Sequence, residues 1–158
     1  MPIKNIIVVG DGKVGKSCFV DIMTIKHASF EKRYLPNFGV RLSENSKYRL
    51  YDSPGNDRYW LEEMNVKIDL CIIMYDLSNK SSYDNIDKWK KYVETRYKVP
   101  NIIVGNKKDL YHSDRKIKNK SIEISCKKKY NIEDLIKKID SIKPFINKIK
   151  KLDTSYVN

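Results

Sequence analysis

Gly10-Asp11-Gly12-Lys13-Val14-Gly15-Lys16-Ser17 follows directly on the apolar run Asn5 to Val9 and opens a segment with helical spacing, Lys16 to Ile25. It fits GxxxxGK[ST] in the strand, loop and helix context that gives the pattern its meaning. Glycines let the loop wrap closely, so that its N–H groups and the N-terminus of the following helix face an anion. Lys16 is placed to reach terminal phosphates and the Ser17 hydroxyl to ligate Mg²⁺. The loop, with Cys18 just behind it, is therefore expected to cradle a nucleoside triphosphate. By itself it leaves adenine and guanine nucleotides equally open.

Outward from this loop, short β-branched runs alternate with longer mixed segments. Asn5 to Val9, Asp69 to Asp76, Asn101 to Val104 and Ile122 to Ser125 read as buried parallel strands. Lys16 to Ile25, Leu61 to Lys67, Ser82 to Tyr97 and Ile132 to Ile142 read as helices. Ile86, Trp89, Tyr92 and Val93 form one apolar face of the third, and Leu135, Ile136 and Ile139 one face of the last. Val40 to Ser43 and Lys47 to Tyr51 flank Glu44, Asn45 and Ser46, which predicts an antiparallel hairpin. The expected fold is α/β, an open, mostly parallel sheet with one antiparallel edge strand and helices on both faces. Residues 1–151 are expected to form one domain, with 152–158 as a flexible tail.

Composition bounds the possibilities. At 158 residues the chain suits a single core. Cys18, Cys71 and Cys126 are odd in number and form no CxxC pair, which argues against a disulfide framework or zinc site and for a reducing, intracellular setting, cytoplasm or nucleus. No apolar run reaches the roughly 18 to 20 residues of a membrane span and Met1 to Asn5 lacks the features of a signal peptide, so a soluble protein is expected. The net charge of +12 is uneven: residues 79–158 carry 21 Lys and Arg against 10 Asp and Glu, whereas residues 1–78 are close to balance. The excess is of lysine, which lacks the planar fork suited to reading base edges, so it is read as a solvated face and no direct nucleic-acid partner is expected.

Three further motifs sit at the ends of the expected strands. Asp52-Ser53-Pro54-Gly55 is a DxxG, Asn106-Lys107-Lys108-Asp109 an NKxD, and Ser125-Cys126-Lys127 closes the last strand. With the first loop they resemble, in order and position, the Ras-like small GTPases with their P-loop fold. The resemblance implies a guanine pocket built by Asn106, Lys107, Asp109, Ser125, Cys126 and Lys127, with Phe30 packing on the base. It also implies GTP or GDP as ligand, Mg²⁺ held by Ser17, Asn37 and Asp52, and catalysis by Lys16, Gly55 and Asn56. Adenine offers no matching pair of donors to Asp109, and a site that leaves a buried group unpaired discriminates by about 10⁴ to 10⁵. Within these GTPases, Phe30-Glu31-Lys32-Arg33-Tyr34, Cys71-Ile72-Ile73-Met74-Tyr75-Asp76 and Asp114 to Ile122 are most similar to the Ran branch. Asp57-Arg58-Tyr59 is similar to the Rab branch. The implied partners are a GTPase-activating protein, an exchange factor and an effector or transport receptor, with the chain itself a monomer. Thr154-Ser155-Tyr156-Val157-Asn158 offers no cysteine for prenylation, so no lipid anchor is expected.

The chain also departs from that pattern. Asn37 stands where the family has the metal-ligating threonine of the first switch, and Asn56 where it has the glutamine that orients water. Hydrolysis weaker than in a glutamine-bearing relative is expected. Lys13 is expected at the phosphate loop but pointing to solvent. The hairpin between the switches is short, and Leu110 to Ser121 barely spans a parallel crossover, so a helix there is expected to be stunted or absent.

Overall fold

The structure is a computed structural model and describes residues 2–25, 39–55, 66–111 and 120–144. In chain order the elements are β1 (Lys4–Val9), α1 (Lys16–Thr24), β2 (Arg41–Glu44), β3 (Tyr48–Asp52), β4 (Leu70–Asp76), α2 (Lys80–Asp84), α3 (Ile86–Arg96), β5 (Asn101–Asn106), a 3₁₀ turn at Lys108–Leu110, β6 (Ile122–Glu123) and α4 (Ile132–Ser141). The strands form one sheet in the order β2-β3-β1-β4-β5-β6. All neighbours run parallel except β2 and β3, which make the antiparallel edge.

Alternation along the central strands divides the core between the two faces. Ile6 and Val8 of β1, with Leu70, Ile72 and Met74 of β4, pack against Phe19, Val20 and Met23 of α1 and Leu135 and Ile139 of α4. Ile7 and Val9, with Cys71, Ile73 and Tyr75, pack against Ile86, Trp89 and Val93 of α3. Every residue of β4 is buried, which is why its sequence is a continuous apolar run. Helices on both faces and one antiparallel edge agree with the α/β architecture read from the sequence.

Several boundaries move. β2 ends at Glu44 and β3 starts at Tyr48, so the turn falls at 45–47 rather than Glu44 to Ser46. Asn45 sets it: its Oδ1 accepts from the N–H of Lys47 and of Tyr48, both at 2.8 Å, while its Nδ2 donates to the Met23 carbonyl at 2.8 Å. A side chain that mimics the backbone turn overrides the hydrophobic pattern there. The single helix expected over Ser82 to Tyr97 is two, α2 starting at the Asn79 cap and α3 starting after Asn85. β5 runs on to Asn106, whereas β6 keeps only two ladder residues of the expected four. Ser125 instead pairs with Tyr130 in an isolated bridge. Most of the expected helix at Leu61 to Lys67 and most of the crossover from Leu110 to Ser121 fall outside the described residues, as does the tail.

Candidate functional site

Four strand ends, two on each side of β4, open on the same carboxyl edge of the sheet, the position where open α/β sheets bind ligands. β1 delivers the loop Gly10 to Lys16, β3 the segment Asp52 to Gly55, β5 the residues Asn106 to Asp109, and β6 Ser125 to Lys127. These segments approach more closely than side chains allow. A Cβ on Gly10 would lie 2.0 Å from the Met74 carbonyl oxygen, and one on Gly55 2.3 Å from the Gly12 nitrogen. Only glycine fits at such contacts. Ser53, fully buried, fastens the DxxG segment to β1: its N–H and its hydroxyl both donate to the Val8 carbonyl, at 3.2 and 2.7 Å.

Asn106 joins the phosphate loop to the last loop. Its Nδ2 donates to the Val14 carbonyl at 2.9 Å and its Oδ1 accepts from the Cys126 N–H at 3.0 Å. Lys107, in the left-handed conformation at φ 64°, sends Nζ to the Lys13 carbonyl at 2.7 Å and to Asp76 Oδ2 at 2.7 Å. Asp76 is held in turn by the N–H and hydroxyl of Ser78. Ser125 Oγ donates to Asp109 and accepts from the Lys128 N–H at 3.1 Å, so the aspartate that would meet a base edge is oriented by a buried hydroxyl. Lys127 is exposed. Cys126 is buried against the half-buried Cys18, and its thiol is pushed well above the ordinary range, first by that contact and then by burial.

At the phosphate end Lys16 is 6% exposed, and its Nζ donates to the carbonyls of Gly10 at 2.8 Å and Asp11 at 2.7 Å. Burial pushes its ammonium down to about 8, opposed by the charges of Asp52 and Asp11. Asp52 is fully buried at the last position of β3. Its Oδ2 and the Ser17 carbonyl lie within 3.4 and 3.3 Å of the same nitrogen, Nη2 of Arg41, so the first turn of α1 and this carboxylate are neighbours. The donor set fits Mg²⁺: a hydroxyl and one carboxylate beside a phosphate cradle are hard oxygens, and this ion relies on phosphates and waters more than on an all-protein cage. Among the described residues no group of three His, Cys, Asp or Glu could hold a metal. Lys13 is exposed with φ 64°.

Of the expected site residues, Gly10, Asp11, Gly12, Lys13, Val14, Gly15, Lys16, Ser17, Cys18, Asp52, Gly55, Asn106, Lys107, Asp109, Ser125, Cys126 and Lys127 all lie on this edge. Phe30, Asn37 and Asn56 fall outside the described residues. Sequence reasoning missed four participants. Trp89 and Asn85 were visible only as helix positions, yet the Trp89 indole N–H donates to Asp11 Oδ1 at 2.8 Å and Asn85 Nδ2 to Asp11 Oδ2 at 2.7 Å. Asp76 and Arg41 were missed because the partners that tie them to the site, Lys107 for the one and Asp21 and Asp52 for the other, are remote in sequence. The family model described as Ras family matches residues 5–142, most of the chain.

Proposed function

The chain belongs to the Ras family of small GTPases, and from that premise we propose that it is a guanine-nucleotide switch of the Ran or Rab type, with weak GTP hydrolysis, acting in intracellular transport. The observation that carries the reading is Asn106, whose one amide ties the phosphate loop at Val14 to the base loop at Cys126. Both ends of a nucleotide are thereby addressed by one rigid unit. Asp109, oriented by Ser125, accepts from guanine, while Asn106 and Lys107 brace its loop. Lys16 neutralises phosphate charge, and the loop N–H groups bind the phosphate oxygens. Ser17, Asn37 and Asp52 would hold Mg²⁺, which when bound would offset negative charge developing on the phosphate oxygens. Gly55 meets the terminal phosphate and Asn56 orients the attacking water. The Ran and Rab likeness rests on the segments quoted above, and it supports an activating protein, an exchange factor and a transport receptor as partners.

Asn56 is one methylene shorter than glutamine, and a misplacement of about 1 Å costs about 100-fold in rate. Single-turnover phosphate release from bound GTP should therefore be slow and should rise by about that factor in Asn56→Gln. An unaltered rate in the variant sinks the positioning argument, and competition by ATP against labelled GDP at equal concentration sinks the base assignment. Asn37 and Asn56 together favour a second reading, a nucleotide-bound decoy that occupies trafficking partners without turnover. Absence of phosphate release with and without a Ran or Rab activating protein would select it.

A further inference from the structure

Arg41 is the first residue of β2 and lies directly across the ladder from Asp52. Residues opposed in this way project to the same face of a sheet, so their side chains meet. The guanidinium spreads over three groups. Nη1 is 2.7 Å from Asp21 Oδ1 on α1, Nη2 is 3.3 Å from the Ser17 carbonyl, and Nε and Nη2 are each 3.4 Å from Asp52 Oδ2. The short contact is to Asp21 and the long ones to Asp52, so the cation is anchored on α1 and leans on the buried carboxylate.

A fully buried carboxylate needs a counter-charge, and here Arg41 supplies one from a side chain that is 39% exposed. The same carboxylate is the one assigned above to Mg²⁺. Two cations at one carboxylate repel each other, and each lessens the need for the other. We propose that Arg41 shares Asp52 with the metal, as a positioning residue that keeps the phosphate end of the site neutralised when the ion is lost and so loosens the dependence of nucleotide retention on magnesium. The inference rests on the guanine-nucleotide reading of this site. Without Arg41, loss of the ion leaves the Asp52 carboxylate less fully countered where it faces the phosphates, with Lys16 still acting on it. With Arg41, part of the lost charge is still in place. Partial exposure screens the effect, which is expected at about tenfold in affinity rather than more.

The test uses the full chain loaded with a fluorescent GDP analogue, chased with unlabelled GDP at graded Mg²⁺ and in excess EDTA. In Arg41→Gln, EDTA should accelerate release about tenfold more than in the wild type, and the Mg²⁺ concentration giving half-maximal slowing should fall about tenfold. Arg41→Lys keeps the charge and should stay near the wild-type values. Asp21→Asn frees the guanidinium to close on Asp52 and should raise the half-maximal Mg²⁺ concentration, a readout that holds even if Arg41→Gln does not fold. Equal EDTA responses and equal Mg²⁺ midpoints in the wild type and Arg41→Gln overturn the assignment, as does an unmoved midpoint in Asp21→Asn. A wild type that retains no analogue at any Mg²⁺ concentration overturns the nucleotide reading and this inference together, whereas retention with equal responses overturns this inference alone.

Discussion

Gly15 has φ 101°, and a Cβ built there would lie 2.2 Å from Asn106 Nδ2. Two constraints thus fall on one residue: a left-handed backbone, and room for the amide that staples the two loops. Gly15→Ala is expected to push Asn106 off Val14 and Cys126, abolishing nucleotide binding and costing about 2 kcal/mol or more of stability, read by nucleotide titration and urea unfolding. Ser125→Ala is milder in shape and more selective in effect. It removes the hydroxyl that donates to Asp109 and leaves the fold's main contacts intact. GDP affinity should weaken about tenfold, at the lower end of what an orphaned polar partner costs, while a nucleotide-free thermal melt moves little.

At the scale of elements, α3 is tied to the phosphate loop through Asp11. Both carboxylate oxygens are engaged, one by the Trp89 indole and one by the Asn85 amide at the break between α2 and α3. That engagement gives a physical reason for the interrupted helix: Asn85 caps α2 while its side chain faces the loop. Trp89→Phe keeps most of the buried ring and deletes the N–H. GDP release is expected to quicken about tenfold, and in the wild type the indole N–H resonance should shift on adding GDP. An indole signal indifferent to nucleotide would show the tie to be structural only. The other end of the sheet provides a contrast. Lys4 Nζ donates to the Ile139 carbonyl at 2.5 Å and the Tyr48 hydroxyl donates to Asp140, fastening the last turn of α4. Tyr48→Phe should lower stability by about 1 kcal/mol and leave GDP release unchanged, since distant sites are close to additive.

For the whole molecule, the two apolar clusters share β1 and β4, whose alternate residues serve opposite faces. Neither face can melt while the other stays packed, so a single unfolding transition is expected, with circular dichroism and tryptophan fluorescence coincident. Excess GDP at about 1,000 times its dissociation constant should stabilise it by about 4 kcal/mol. The alternation of strands and helices, the antiparallel edge and the four motif-bearing strand ends were legible in the sequence because they depend on local signals: β-branched runs, a glycine-rich loop, short motifs at fixed spacing. What was not legible depends on distant partners. Arg41 gains meaning only from a ladder register set by Asn45, and Trp89 reads as an apolar helix residue until Asp11 lies beneath its indole. The early end of β6 has the same origin, since the bridge from Ser125 to Tyr130 competes for the strand and no periodicity announces it.

Among the described residues β6 pairs with β5 through Ile122 and Glu123, opposite Val104 and Gly105, the Ile124 N–H adds a bond to the Gly105 carbonyl at 2.7 Å, and no further strand is paired outside β6. The flank that carries Ser125 and Cys126 is thus a thin margin of the sheet, while the phosphate loop grows from a strand paired on both sides. Amide exchange with deuterated solvent should therefore be faster at Ile122 and Glu123 than at Ile72 or Ile73. A bound nucleotide would then leave ring first, its purine loosened by fraying at that margin while the phosphates are still gripped.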